Sequence, residues 1–277
     1  MRFLRAIGLA LAGVVLLVPP ALAADAAAVR TTMEKSGLVA QYADLGAQIR
    51  EGLLHSPPPM LPPGTVTLMA TIVGNTMDGK KLLDDVQTVL AASLSDEEVK
   101  AMDAFFDSDL GSRLVKAEIA GSAISVQNEI SANAEALVAA AHKDPERAAV
   151  FERIDTMLKT SELSARSSES LLRALSVAMA ESGPVPPDPA KLAEANRRID
   201  AMHEPLVKQI SAMMLATAER VYRDFPTAEM QTYADFLASP PSQVVYAAFA
   251  GVMKGFYVET GKRIGEELAA AMRQQKT

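Results

Sequence analysis

Apolar residues recur at helical spacing along almost the whole chain, and this periodicity constrains the fold more than any other feature. Val and Ile stand among Ala, Glu, Lys and Met, which favour helix. Strict alternation of apolar and polar residues, the pattern of a half-buried strand, is absent from the sequence. We therefore predict an all-α helical bundle, with helices over residues 25–36, 38–54, 65–90, 96–107, 109–141, 145–160, 162–181, 189–222, 227–238 and 240–274.

The first 23 residues have the features of a secretory signal peptide. Two arginines precede a run of thirteen uncharged residues, 6–18, and small residues occupy the −3 and −1 positions of a site that ends at Ala23. We predict cleavage between Ala23 and Ala24, and hence a periplasmic protein. The run is shorter than the roughly 20 residues that span a bilayer, and no later stretch is as apolar over that length. The sequence thus predicts no transmembrane segment after signal cleavage.

The chain contains no cysteine and has a formal net charge of −7. The missing cysteine excludes disulfide scaffolds, cysteine zinc sites, iron–sulfur clusters and cysteine nucleophiles. Removal of the signal peptide would leave 25 basic and 34 acidic side chains, a net charge of −9. Such a balance argues against a nucleic-acid partner, because nucleic-acid-binding proteins present a basic face to the phosphates. Because disulfides are excluded, the mature chain must be stabilised by helix packing.

Two proline clusters, at residues 56–64 and 183–189, interrupt the helical pattern because proline ends helices. Each is followed by a related segment: residues 94–108 align with residues 225–239 without gaps, at an offset of 131. Seven of the fifteen aligned positions agree in character. Three of the aligned pairs are identical, namely Glu98 with Glu229, Phe105 with Phe236, and Ser108 with Ser239.

This agreement favours two tandem helical repeats, over residues 24–145 and 146–277. The alternative is that amphipathic helices alone produce several of the matches, since apolar positions recur at the same spacing in all of them.

The related segment predicts a helix, a serine corner and a second helix. Ser95 and Glu98 have the spacing of a capping box, in which each side chain satisfies a backbone N–H of the other residue. Phe105 and Phe106 continue the apolar face of this helix, and Ser108 is placed to cap the next one.

The second copy departs from this pattern at its start. Pro226 replaces the capping serine, so we expect the cap of that helix to come from Asp224 or Thr227. Ser239 stands where Ser108 does in the first copy, and a proline follows it at the first helical position, where a missing N–H costs nothing.

The acidic cap, aromatic helix face, serine and glycine of residues 95–114 resemble the domain of unknown function 2059 family. The resemblance covers roughly residues 94–143 and, less fully, residues 225–274, where Ser242 replaces Gly111. It implies an all-helical, exported bacterial protein and no established activity. The structural family motif consists of Ser95, Glu98, Phe105, Phe106, Ser108, Gly111, Glu229, Phe236 and Ser239.

The motifs that could carry chemistry have simpler structural explanations. Residues 74–80 have the spacing of a phosphate-binding loop, but no predicted strand precedes them and Lys81 replaces the magnesium-binding Ser or Thr. His55, His142 and His203 lack the spacing of metal ligands on one helix face, so we expect solvent-facing histidines.

An acidic concentration, at Asp84, Asp85 and residues 96–98, is expected to form solvated helix faces and caps. The frequent methionines are expected in helix seams, with an adaptable apolar groove for a peptide or lipid as the alternative. The sequence therefore predicts no catalytic, cofactor-binding or metal-ligating residue.

These observations favour a non-catalytic periplasmic interaction or binding module, with either a protein or a hydrophobic ligand as its partner. Two alternatives stay open. One is an envelope-associated hydrolase whose histidine and carboxylate site assembles only in the fold. The other is a structural or stress-related envelope protein.

Overall fold

The structure is a computed structural model that describes residues 23–55, 63–181 and 187–274. The predicted signal peptide, up to residue 22, and much of both proline clusters lie outside the described residues. The regular elements of the described chain are helices, which confirms the all-α prediction. In chain order they are α1 (Ala26–Lys35), α2 (Leu38–Tyr42), α3 (Leu45–His55), α4 (Pro63–Thr76), α5 (Gly79–Ser93), α6 (Asp96–Phe106), α7 (Asp109–Gly121), α8 (Ile124–Ala132), α9 (Ala134–Ala141), α10 (Pro145–Leu158), α11 (Thr160–Glu181), α12 (Pro189–Ala201), α13 (His203–Val221), α14 (Thr227–Leu237) and α15 (Pro240–Gln274). Within these ranges, no helix has the length and apolar character that crossing a bilayer requires.

Four of the predicted helical ranges are interrupted in the structure. The predicted helix over residues 65–90 divides into α4 and α5 because the Asp78 side chain accepts hydrogen bonds from the backbone N–H groups of Lys80 and Lys81. Asp78 thereby caps α5 and ends the preceding helical path. Residues 38–54 likewise form α2 and α3.

The other two interrupted ranges lie further along the chain. Residues 109–141 form α7, α8 and α9, and Ser122 ends α7 by donating from its Oγ to the Ile119 carbonyl oxygen. Residues 189–222 divide at Met202 into α12 and α13. Pro205 then lies in the first turn of α13, where its missing N–H has no intrahelical partner to lose.

The helices surround two hydrophobic clusters, and each cluster combines helices from both halves of the chain. The first cluster joins α1, α4 and α5 to the C-terminal helix α15, through buried side chains that include Val29, Leu82 and Ile264. The second joins α10, α13 and α14 to α7 and α9, with Leu114 and Met230 among its buried side chains.

The helices that follow the two serine corners cross into the opposite half. After Ser108, helices α7, α8 and α9 pack on α13 of the second half. After Ser239, helix α15 packs on α4 and α5 of the first half as well as on α11 of its own. The hydrophobic clusters therefore do not follow the boundary between residues 145 and 146, and the tandem repeats stay a prediction.

Candidate functional site

A cavity of about 640 Å³ lies between the two hydrophobic clusters. Its walls come from α1, α5, α6 and α7 of the first half and from α10, α13, α14 and α15 of the second. Several lining residues are exposed, among them Gln127, His142 and Met214, so the cavity opens to the protein surface. The volume lies within the ~300–1,000 Å³ of pockets that hold small molecules. Its apolar lining includes Val29, Leu90, Met102, Phe151, Leu215 and Phe249.

One wall of the cavity carries a carboxyl group held by two phenols. The hydroxyls of Tyr222 and Tyr233 both donate to Oε1 of Glu118, at 2.7 and 2.8 Å. Oε2 of Glu118 accepts no hydrogen bond from the described residues. Burial raises the pKa of Glu118, and the hydrogen bonds from the two phenols offset this rise in part. We call Glu118, Tyr222, Tyr233 and the adjacent Tyr246 the carboxyl–tyrosine cluster.

The tyrosines of this cluster keep their phenol protons at neutral pH. Burial, reinforced by the nearby charge of Glu118, raises the pKa values of Tyr222, Tyr233 and Tyr246. Burial also raises the pKa of Tyr42, a further lining residue, to about 12. All four phenols line the cavity and remain protonated, so they present hydroxyl groups and aromatic faces to an occupant.

A second carboxylate of the cavity wall, Asp155, is saturated by donors from the next helix. Ser161 donates to it from its backbone N–H at 2.8 Å and from its Oγ at 2.6 Å, and the Thr160 hydroxyl also donates to it. Burial opposes ionisation of Asp155, but these hydrogen bonds outweigh it and lower the pKa. Asp155 therefore joins α10 to α11, and its oxygens are already occupied.

The first corner of the motif is built as the sequence predicts. Ser95 Oγ accepts from the N–H of Glu98 at 3.3 Å, and Glu98 Oε2 accepts from the N–H of Ser95 at 2.8 Å, which completes the capping box. Ser108 Oγ accepts from the N–H of Gly111 at 3.0 Å and caps α7. Gly111 lies against the end of α6, where a Cβ atom would overlap the carbonyl oxygen of Phe105.

The second corner uses different contacts. Ser239 Oγ donates to the Oγ of Ser242, which is buried, at 3.0 Å. The prediction that Asp224 or Thr227 caps α14 is wrong, because the capping position belongs to Pro226 and no side chain caps it. Thr227 is itself the first helical residue, so its hydroxyl lies too far along the helix to take the capping role.

The two corners meet through equivalent aromatic residues. The rings of Phe105 and Phe236, which occupy matching positions at the offset of 131, stack with centroids 3.7 Å apart and planes 6° from parallel. Phe106 meets Phe236 edge-on, with centroids 5.5 Å apart. Across the same contact, the Arg113 guanidinium donates to both carboxylate oxygens of Glu229, at 2.7 and 3.1 Å. Of the predicted motif residues, Phe106 and Phe236 line the cavity.

The region of the first corner also carries the family signal. Residues 80–140, which run from α5 into α9, match the family model described as "Uncharacterized protein conserved in bacteria (DUF2059)". We call the matched range, residues 80–140, the DUF2059 segment. No curated protein and no solved structure matches the chain. Residues 225–274 lie outside the DUF2059 match, so the second copy of the motif stays a prediction.

The DUF2059 segment supplies Glu118, which the sequence analysis did not single out. Its only local signal is an acidic residue on a helix face shared with Leu114. Its partners Tyr222 and Tyr233 lie 104 and 115 residues away and outside the DUF2059 segment. The DUF2059 segment alone therefore does not contain the carboxyl–tyrosine cluster.

The three histidines lie in different surroundings. His142 is exposed at the cavity edge, and the His55 side chain is 61% exposed. The solvent-facing prediction is wrong for His203, whose Nδ1 lies 2.7 Å from Glu169 and whose Nε2 lies 3.2 Å from Glu162, because α13 packs on α11. The hydrogen bond that His203 donates to Glu169 raises the pKa of His203, against a smaller opposing effect of burial. Among the residues that the structure describes, no group of three or more histidine or acidic side chains is arranged to hold a metal ion.

The phosphate-loop spacing and the acidic concentration have structural roles. Residues 74–80 contain the end of α4 and the Asp78 cap of α5. The Asp84 side chain is 75% exposed, and Asp85 pairs with Lys81 one turn away at 2.6 Å. These acids lie on solvated helix faces, as predicted.

Proposed function

We propose that this chain is an exported, non-catalytic binding protein whose central cavity holds a hydrophobic ligand. The observation that carries the proposal is the 640 Å³ cavity between the two hydrophobic clusters. Protein interiors are close-packed, and an unfilled apolar cavity lowers stability in proportion to its volume. A cavity of this size, open to the surface and lined by aliphatic and aromatic side chains, is therefore best explained by an occupant.

The lining of the cavity also fits the proposed repeats. Positions separated by the offset of 131 line it in pairs, as two related halves that enclose one site would do. The pairs are Leu90 with Val221, Met102 with Tyr233, Phe106 with Leu237, and Glu118 with Phe249. Three methionines of the lining, including Met33 and Met214, supply flexible side chains that can adapt to the shape of a ligand.

A binding role accounts for the cavity better than hydrolysis does. A hydrolase needs a nucleophile and a base within hydrogen-bond reach of each other. His142 lines the cavity, whereas His55 and His203 are not among its lining residues. Asp155 is held by Ser161 and Thr160, and Glu118 is held by tyrosines.

Export is supported by the sequence features of residues 1–23 and by the packing beside them. Ala23 is exposed, whereas Ala24 is buried and its N–H donates to the Leu94 carbonyl oxygen at 2.9 Å. The proposed cleavage site therefore lies at the edge of the packed chain.

Protein recovered from the periplasm should begin at Ala24 by N-terminal sequencing and intact-mass measurement. A cytoplasmic protein that keeps residues 1–23 would overturn the export proposal.

The ligand proposal is tested with the neutral apolar dye N-phenyl-naphthylamine, whose fluorescence rises in apolar surroundings. We expect saturable binding, because the dye enters a site of fixed volume. Ala218 lines the cavity from α13, so Ala218→Phe should fill part of the cavity and weaken dye binding by roughly tenfold.

Ala247→Phe is the matched control, since Ala247 is exposed on α15 and does not line the cavity. It should leave dye binding unchanged. If the dye does not bind, or if both variants weaken it equally, the cavity is not the binding site and the proposal fails.

A further inference from the structure

The cavity has an unbalanced set of charged groups. Its lining contains three carboxyl side chains, from Glu118, Glu152 and Asp155, and no lysine or arginine among the described lining residues. His142, at the edge, is the one histidine among the described lining residues. An anionic head group would therefore enter an acidic cavity without a cation to pair with.

Within this set, Glu118 is placed to receive a ligand. Glu152 is exposed at the rim, and the oxygens of Asp155 are occupied by neighbouring donors. Glu118 instead has both phenol hydrogen bonds on Oε1 and none on Oε2 among the described residues. Oε2 can accept from a ligand donor without displacing a protein contact.

The groups around Glu118 favour a cation as that donor. The phenol rings of Tyr222, Tyr233 and Tyr246 lie beside it in the cavity lining. Aromatic faces attract ammonium groups, most strongly where water is excluded. An ammonium head would also compensate the cost of burying a carboxylate, which is high for an unpaired charge.

The carboxyl group of Glu118 has no polar counterpart at the matching position of the second half. The position equivalent to Glu118 at the offset of 131 is Phe249, which also lines the cavity and meets Tyr42 edge-on with centroids 5.3 Å apart. The cavity lining therefore offers a carboxyl group at one of the two matching positions and an aromatic ring at the other. An amphiphile with one polar head and one apolar chain matches this asymmetry.

We propose that the cavity selects a single-chain amphiphile with a primary ammonium head, seated with its head at Glu118 and its chain against the apolar lining. The inference rests on the proposed ligand-binding function and adds the chemical class and orientation of the ligand. It requires that the same chain with a carboxylate head binds less well.

The experiment compares two competitors of equal chain length, dodecylamine and dodecanoate, for displacement of N-phenyl-naphthylamine from the purified protein. Both are used below their micelle-forming concentrations and at about 0.15 M salt, where attraction to the distant surface charge is screened. We expect dodecylamine to compete at least about tenfold more strongly than dodecanoate. Equal competition by the two head groups would overturn the inference.

The variant Glu118→Gln removes the charge and keeps an acceptor for the tyrosines. It should reduce the preference for the amine to less than roughly threefold, mainly by weakening dodecylamine. The matched control Glu152→Gln removes a carboxylate from the rim and should keep the preference. An unchanged preference in Glu118→Gln would show that overall charge, and not Glu118, selects the head group, and would overturn the inference.

The two proposals fail in distinguishable ways. If the dye does not bind to the parent protein, the ligand-binding function itself fails. If the dye binds and both competitors displace it equally, the cavity holds apolar ligands without head-group selection, and only the inference fails. Equal competition by the two head groups on the parent protein would overturn the inference even if Glu118→Gln does not fold.

Discussion

Replacement of Gly111 by alanine tests whether the first corner depends on close backbone approach. A Cβ atom at this position would overlap the Phe105 carbonyl oxygen, 2.8 Å from the carbonyl carbon and 3.0 Å from the Cα of Phe106. Carbon atoms pack at about 3.5–4.0 Å, so α6 and α7 would have to separate by roughly 1 Å. Because the obstacle is backbone and not a flexible side chain, the corner cannot relieve the overlap by a rotamer change.

The magnitude follows from two opposing effects. Overpacking costs about 1–3 kcal/mol, and glycine-to-alanine replacement inside a helix returns about 0.5–1 kcal/mol. We expect Gly111→Ala to lower the free energy of unfolding by about 2 kcal/mol, which is near the upper end of the difference between these two ranges. For a chain of this length that corresponds to a fall in Tm of about 4–8 °C. Urea unfolding followed by far-UV circular dichroism measures the change directly.

Gly251→Ala is the matched control, because Gly251 is exposed in α15 and an added Cβ would meet nothing within 4 Å. The control should raise the free energy of unfolding by about 0.5–1 kcal/mol, since only the helix-propensity gain applies. Opposite signs for the two variants are therefore the expected result. A Gly111→Ala protein as stable as the parent would refute the close approach of α6 and α7.

Three further predictions concern the corners and the α11–α13 contact. Ser108→Ala should lower the free energy of unfolding by about 1 kcal/mol, because the Gly111 N–H loses its acceptor; an unchanged thermal melt would contradict the cap. Leucine substitutions at Phe105 and Phe236 should show a coupling of about 0.5–1.5 kcal/mol in a double-mutant cycle, and additive losses would contradict the stacked pair. Since the folded state raises the pKa of His203, the stability that its charge adds is complete below pH 6.5 and is lost as pH rises through the folded-state pKa. His203→Gln should therefore lower Tm more in mildly acidic than in alkaline buffer, and a pH-independent difference would count against the ion pairs.

Local signals in the sequence predicted the helices and the first corner. Ser95 and Glu98 are three residues apart, so the capping box depends on nothing beyond its own turn. The cap at Asp78 is equally local, and it lies within residues 74–80, where the sequence predicts a kink or short loop although the apolar periodicity continues to residue 90. Periodicity reports which face of a helix is buried and does not report where the helix ends.

The candidate site was beyond such reasoning because its residues meet only through long-range packing. Glu118 belongs to α7, which packs on α13 of the second half. Tyr222 follows the end of α13, and Tyr233 lies within α14. Nothing in the sequence near Glu118 indicates a phenol partner. The sequence contains five tyrosines. The fold shows that two of them donate to one carboxyl group and that a third lies nearby.

The crossing of helices between halves sets the order in which the chain can fold. The first hydrophobic cluster needs α15, which is synthesised long after α1, α4 and α5. Until residues 240–274 emerge, the faces of α4 and α5 that α15 covers have no partner, and folding must wait for contacts of large sequence separation. The growing chain therefore cannot complete the first hydrophobic cluster before α15 is made. The export that we propose would gain from this delay, because a chain crosses a membrane in extended form and this cluster closes only when α15 arrives.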